Sequence, residues 1–189
     1  MIYGERIRLR AVEKEDLPLF ARWLNDPEVR EGLSLYLPLS MQDEEAWFEQ
    51  MRKRPDEEKP LVIEIKTEDG WEPVGNCALF GLDWRVRLAE IGIFIGAKQH
   101  WNQGYGTDVM KLMLRHGFET LNLNRIHLRV HANNPRAKRA YEKAGYVLEG
   151  RMRQAHFDQG EYHDVFFMSV LRSEWLESQK SKKFTGKRD

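Results

Sequence analysis

The sequence predicts an α/β chain of the α+β kind: a mixed, mostly antiparallel sheet with helices on both faces. Three observations lead there. Apolar residues recur at period two in some segments and at the helical period in others, in the order β, α, α, β-β-β, α, β, α, β-β. Turn residues at Asp69-Gly70 and Asp158-Gln159-Gly160 fold the long alternating runs into antiparallel hairpins. Prolines and glycines fall where helices should start and stop.

In "ERIRLRAV", Ile7, Leu9 and Ala11 alternate with Arg6, Arg8 and Arg10, the pattern of a half-buried strand. Asp16 is placed to cap a helix with Pro18 in its first turn and Leu17, Phe20 and Leu24 on one face. Pro27 disfavours helical geometry at Asp26, so "NDPEV" ends that helix. Ser40 with Asp43 beyond it, a variant capping box, opens a second helix through "EEAWFEQM", on which Trp47 and Met51 read as core. After the polar break "RPDEEKP", "LVIEIKT" and "VGNCALFGLD" form a hairpin. "WRVRLAEIGIFIG" continues as a third, longer strand with Ile91, Ile93 and Ile95 on one side.

The period then changes. Met110, Met113, Leu114, Gly117, Phe118 and Leu121 mark a helix beginning near Thr107. "RIHLRV" is a strand with Ile126, Leu128 and Val130 on one face. The opposite row, His127, Arg129 and His131, is too polar for a doubly covered strand and faces solvent or a cleft. His127 and His131 lie roughly 13 Å apart along the strand, too far to share one metal, and no metal site is expected. Asn134 and Pro135 open a short helix with Ala137, Ala140, Tyr141 and Ala144 as its inner stripe, and Gly145 stops it. "YVLEGRMRQAHF" and "EYHDVFFMSVLRSEW" close the fold as a final hairpin.

With 189 residues the chain suits one domain, placed at 1–176, followed by a basic, disordered tail over 177–189. A formal net charge of zero supplies no overall field toward nucleic acid or an acidic partner, so no direct nucleic-acid binding is expected. The single cysteine, Cys77, excludes an intramolecular disulfide framework and any multi-cysteine zinc site, and fits a reducing cytosol. The first residues lack the apolar core of a signal peptide, and no apolar run is long enough to cross a bilayer. A soluble, cytoplasmic protein with no membrane partner is expected. Whether it pairs with copies of itself stays open.

Chemistry concentrates in "QHWNQGYGTDVMKLM". A loop from a strand into a helix N-terminus presents unpaired backbone N–H groups and the positive end of the helix dipole. Glycine at 104 and 106 would let a pyrophosphate approach that backbone, although the pair also fits a plain helix-entry turn. A dinucleotide fingerprint would need glycine where Val109 stands. A Walker loop would need Lys-Ser/Thr where Thr107-Asp108 stands.

"AEIGIFIGAKQHWNQGYGTDVMKLMLRHGF" followed by "NRIHLRVHANNPRAKRAYEKAGYVLEG" resembles the core of the GNAT superfamily of N-acetyltransferases. The loop Trp101-Asn102-Gln103-Gly104-Tyr105-Gly106 is similar to that family's Q/R-x-x-G-x-G/A coenzyme loop, with tryptophan in first place. That feature, with "WLNDPEV" and "GEYHDVFFMSVL", resembles the branch of ribosomal-protein N-terminal and spermidine acetyltransferases. The resemblance spans about residues 4–176. Asn102 departs from the glycine common in that branch. The resemblance implies acetyl-CoA as co-substrate, a primary amine as acceptor and no metal. Phe94, Ile95 and Gly96 would lend backbone groups to the pantetheine and thioester. Residues 102–107, among them Thr107, would take the pyrophosphate, and Asn134 would touch the coenzyme arm. Tyr141, also near the coenzyme, would be the general acid, and Glu90, pointing away from Ile91 and Ile93, the base, with His131 or solvent as alternatives.

The acceptor is a protein N-terminus, a polyamine or another small amine. Asp43, Glu44, Glu45 and Glu49 make the second helix acidic, and Glu161 and Asp164 add carboxylates near the last hairpin. Arg52, Lys53 and Arg54 follow at once, which favours an ordinary solvated face. The alternative to an enzyme is a non-catalytic acyl-CoA-binding regulatory domain, which would keep the glycine loop without needing Tyr141.

Overall fold

A computed structural model describes the backbone of residues 1–185 and the side chains of residues 1–181. Its strands are β1 (Ile2–Tyr3), β2 (Ile7–Ala11), β3 (Leu61–Thr67), β4 (Gly70–Asp83), β5 (Leu88–Ile95), β6 (Arg125–His131), β7 (Val147–Asp158) and β8 (Glu161–Leu171). Its α-helices are α1 (Leu17–Leu24), α2 (Pro27–Arg30), α3 (Met41–Met51), α4 (Tyr105–Arg115), α5 (Pro135–Ala144) and α6 (Arg172–Thr185). The strands form one eight-stranded sheet in the order β1-β2-β3-β4-β5-β6-β8-β7. Every neighbouring pair is antiparallel except β5 and β6.

That exception organises the molecule. β5 and β6 pair only at Leu88↔Arg125, Ala89↔Ile126 and Glu90↔His127, and then part. β5 runs on to Ile95 still bonded to β4, and β6 runs on to His131 bonded to β8. A fork opens between them.

The two faces of the sheet are covered differently. On one, Phe94 meets Phe20 and Trp23 of α1 edge-on, with ring centroids 6.2 and 6.4 Å apart, and Trp47 of α3 packs on Phe20. On the other, α4 lies over the apolar row of β6. A Cβ on Gly117 would come 2.4 Å from Ile126 Cδ1, so glycine there lets helix and strand touch. Ile126, Leu128, Val109, Met110 and Met113 are all buried in that layer.

The hairpins, the capping box at Ser40–Asp43 and the Gly145 stop (φ 108°) match the sequence expectation. Other elements differ, each for a local reason. The first helix restarts as α2 because Asp26 Oδ1 accepts from Glu28 N–H at 3.0 Å. Asp16 precedes α1 without capping it; its carboxylate accepts from Arg10 and from Glu13 N–H instead. The third strand begins at Leu88, since Asp83 Oδ1 takes the N–H groups of Arg85 and Val86 and turns "WRVR" into a loop. α4 starts at Tyr105 and passes at its end into a π-turn, His116–Thr120.

The largest correction concerns the tail. Residues expected to be disordered from 177 are helical through Thr185; residues 186–189 lie outside the described residues. Trp175 explains the docking: it is buried, with its ring 5.6 Å from Phe118. Glu174 Oε2 accepts from Leu171 N–H at 2.9 Å, and Arg172 N–H donates to Asn124 O at 2.9 Å.

Trp175→Ala should therefore cost about 3 kcal/mol through cavity formation. It should lower the urea midpoint without changing the slope of the transition. A midpoint equal to that of the wild type would mean that α6 is not anchored to the core.

Candidate active site

The fork holds a cleft of about 240 Å³. Its walls are Ile93, Phe94 and Ile95 of β5, the loop into α4, and one face of α5, with Val29, Gly32 and Leu33 closing one side. Beyond Glu90 no strand among the described residues pairs with the β6-facing edge of β5, so that edge is open to a ligand.

The loop is held from below and open from above. Trp101 Nε1–H donates to Ile95 O at 2.7 Å, tying the loop to the end of β5. Asn102 has φ 62°, a left-handed conformation that asparagine tolerates better than other non-glycine residues. This accounts for the departure at Asn102, since glycine and asparagine answer the same backbone demand. Arg6 clamps the underside: it donates to Gln103 O at 3.3 Å and to Asp108 at 3.0 Å, and its guanidinium lies 4.8 Å from the Tyr105 ring centroid.

The two glycines have different reasons to exist. Gly104, the N-cap of α4, sits at φ 86°, where a Cβ is strained. Gly106 is helical, and a Cβ there would meet only Ile95 Cδ1 at an ordinary 3.8 Å. The packing of the protein does not require glycine at 106. What a side chain would enter is the cleft itself, in front of the first N–H groups of α4, which no capping side chain satisfies.

Opposite lies α5. Asn134 Oδ1 accepts from Ala137 N–H at 3.0 Å, which leaves its Nδ2 amide on the cleft wall. Arg136, Arg139 and Lys143 project from successive turns into the cleft, and none has an ion-pair partner among the described residues. Arg136 lies over the Trp101 ring at 3.6 Å, where burial lowers its pKa. This cluster was missed from sequence, although the spacing of "RAKRAYEK" puts those cations on one helical face. Tyr141 lines the same cleft, and burial pushes its phenol up to about 12. Its hydroxyl has no hydrogen-bond partner among the described residues, and its ring lies 6.1 Å from that of Tyr146.

A second cavity of about 440 Å³ lies across β5, beneath α1 and α3. It shares Leu33, Ile93 and Phe94 with the cleft.

Of the residues expected at the coenzyme, Phe94, Ile95, Trp101, Asn102, Gly104, Tyr105, Gly106, Thr107, Asn134 and Tyr141 line the cleft. Gly96 does not. Its N–H donates to Val74 O at 2.8 Å, and a Cβ would come 2.2 Å from Trp23 Cγ, so its glycine serves packing. Gln103 is also outside: its amide bonds Gln99 O at 2.8 Å and its carbonyl faces Arg6. Thr107 has a second task, donating to Ala140 O at 3.2 Å and joining α4 to α5. Glu90 sits at the fork's vertex, lining neither cavity; Arg129 Nε donates to it at 2.9 Å, and His127 Nε2 is 3.7 Å away. His131 stacks on His156 at 3.6 Å, and burial lowers its pKa to about 4, so it is neutral at physiological pH.

Residues 6–147 match the family model of the acetyltransferase (GNAT) domain. The chain belongs to the GNAT acetyltransferase family. The spermidine N(1)-acetyltransferase of Vibrio cholerae is 29% identical over 186 residues, spanning 92% of this chain and 97% of that protein. The N-acetyltransferase p20 of Bacillus licheniformis is 26% identical over 174 residues, with 92% and 97% covered. A solved structure of the Vibrio cholerae spermidine N-acetyltransferase in complex with CoA and spermine matches at a TM-score of 0.82 and 28% identity, covering 92% of this chain and 99% of that one. As a GNAT enzyme the chain is an acetyl-CoA-dependent N-acetyltransferase. The cleft fits that co-substrate: unpartnered cations for its phosphates, a bare helix N-terminus, and an open strand edge for its amide arm.

The two glycines should separate by substitution. Gly104→Ala should cost about 1 kcal/mol of stability. Gly106→Ala should melt no lower than the wild type, yet weaken acetyl-CoA binding on the order of tenfold. Equal coenzyme affinity in Gly106→Ala, read by calorimetry, would return that residue to a plain helix entry.

Proposed function

We propose that the enzyme acetylates a small primary amine by direct attack in a ternary complex, with acetyl-CoA in the fork and the acceptor in the second cavity. The observation that carries this is the shared wall. Leu33, Ile93 and Phe94 border both spaces, so a thioester laid along β5 is reached from the other side by an amine. Backbone N–H groups at the open edge of β5 are fixed before reaction and stabilise charge developing on the thioester oxygen without reorganising. Arg136, Arg139, Lys143 and the first turn of α4 hold the phosphates, and the Asn134 amide holds the arm between.

Tyr141 supplies the proton for the departing sulfur. Its phenol is protonated at every physiological pH, and its hydroxyl is not committed to another group among the described residues. Glu90, implied as base by the family resemblance, is engaged by Arg129 across the fork. We assign it to holding the vertex, and the acceptor loses its proton to solvent or through water. A purely regulatory acyl-CoA-binding domain would need neither a free Tyr141 hydroxyl nor a second cavity. The lone thiol, Cys77, is buried in the core, in keeping with a cytoplasmic setting.

Tyr141→Phe should lower kcat on the order of a hundredfold, measured as thiol release from acetyl-CoA, with coenzyme affinity unchanged. In the wild type, loss of this proton should not depress the rate until the pH approaches about 12. An unaltered kcat in Tyr141→Phe would take Tyr141 out of the chemistry.

A further inference from the structure

The segment 31–39, between α2 and α3, is a strap tied down at both ends. Asn25 pins the far end, accepting from Leu39 N–H at 2.9 Å and donating to Leu39 O at 2.8 Å. At the near end Leu33 N–H donates to Arg30 O at 2.8 Å, and Arg30 Nη2 donates to Leu35 O at 3.0 Å. α1, which carries Asn25 at its end, packs on β5 through Phe94. From that side the strap reaches across the fork. Ser34 Oγ lies 3.5 Å from His131 Nε2 at the end of β6, and Gly32 meets Asn134 at the start of α5.

The backbone at Gly32 does not call for glycine, since this residue is not among the glycines at positive φ. A Cβ there would come 2.9 Å from Asn134 Nδ2. Apart from its chain neighbours, the only other atom it would meet among the described residues is Val29 O, at 3.9 Å. Glycine at 32 thus answers to one contact, the Asn134 amide. That amide is held from its other end, where Oδ1 accepts from Ala137 N–H at 3.0 Å and caps α5. Turning it away from a methyl group at 32 would cost the cap. Its Nδ2 group lies on the cleft wall with no hydrogen-bond partner among the described residues.

We propose that Gly32 is a positioning residue for acetyl-CoA: having no side chain, it lets the strap lie against Asn134 and keeps Nδ2 aimed at an amide carbonyl of the coenzyme arm. This rests on the placement of acetyl-CoA in the fork proposed above. An amide fixed by cap and strap before the ligand arrives loses little freedom on binding, so more of its hydrogen bond appears as affinity. The strap continues into Leu33, which borders both the cleft and the second cavity, and into Ser34, Leu35 and Leu39, which line the second cavity. Its seat on Asn134 therefore also sets the wall between coenzyme and acceptor.

The test is calorimetry of CoA binding to the full chain as wild type, Gly32→Ala, Asn134→Ser and the double variant. Serine keeps a cap for α5 but has no amide to aim. Each single variant should bind CoA more weakly on the order of tenfold, the effect of losing one hydrogen bond. The double variant should bind no more weakly than Asn134→Ser, because the methyl group then has no amide to displace. Undiminished affinity in Gly32→Ala overturns the proposal. Losses that add in the double variant overturn it too, since a methyl group that blocked the cleft or loosened the strap would act with or without the amide. If Asn134→Ser alone binds CoA as tightly as the wild type, the arm does not pass Asn134, and the placement in the fork falls together with this proposal. Acetyl transfer itself is read separately, as thiol release by the wild type.

Discussion

The active-site architecture depends on how little β5 and β6 pair. Parallel strands in register would zip along their length, closing the sheet and burying every backbone group in the ladder. Here the ladder stops at Glu90↔His127, while each strand stays bonded to its outer neighbour. The outer ladders keep both strands extended, so the fork is rigid rather than frayed. Its vertex is held by charge: Arg129 reaches back to Glu90, with His127 beside them. Because α4 follows β5 and α5 follows β6, the strands that part also deliver two helix starts to the rim of the gap. The proposed phosphate and thioester sites are thus consequences of one interrupted ladder.

Charge in the cleft is local, not global. The chain carries no net charge, yet the cleft-lining side of α5 gathers Arg136, Arg139 and Lys143 with no ion-pair partner among the described residues. Several other arginines serve the fold. Arg8 and Arg10 bracket the buried Glu64, and Arg10 reaches on to Asp16, which holds its guanidinium even more firmly protonated. Arg6 fixes the loop from the side away from the cleft. Cations without ion-pair partners among the described residues, set beside a helix N-terminus, suit the proposed anion site. Stacking Arg136 on Trp101 presents that cation with part of its hydration already removed.

Local order made much of this legible from sequence. Turns, caps and periodicity report contacts within a few residues, and the hairpins, the Ser40–Asp43 box and the Gly145 stop follow from them. The family was legible because the order of the glycine loop between "AEIGIFIG" and "NNPRAKRAYEKAGY" is long and specific. What failed depends on distant partners. Gly96 is glycine because Trp23, far along the chain, occupies the place of its Cβ. The tail is helical because Trp175 finds Phe118. Glu44 and Glu45 are chemically identical neighbours, and only the docking of α3 over β4 and β5 separates a buried carboxylate from a solvated one.

The phenol of Tyr141 sharpens what acid catalysis can mean in this cleft. A side chain raised to about 12 is a weaker acid than an ordinary thiol near 8.5. In water it would not hand its proton to a thiolate. Burial disfavours either anion, however, so the same desolvation that holds the proton on Tyr141 also raises the basicity of a sulfur departing beside it. The two values are compared inside the cleft, where the difference narrows. In the proposed mechanism the Tyr141 proton passes to the leaving sulfur along a short hydrogen bond as the C–S bond breaks, and the proton shed by the attacking amine through water restores the phenol. The buried Tyr146, 6.1 Å away ring to ring, adds to this by keeping water from solvating a phenolate at 141. Tyr141 is therefore suited to donate a hydrogen bond as charge develops on sulfur, and unsuited to ionise before it.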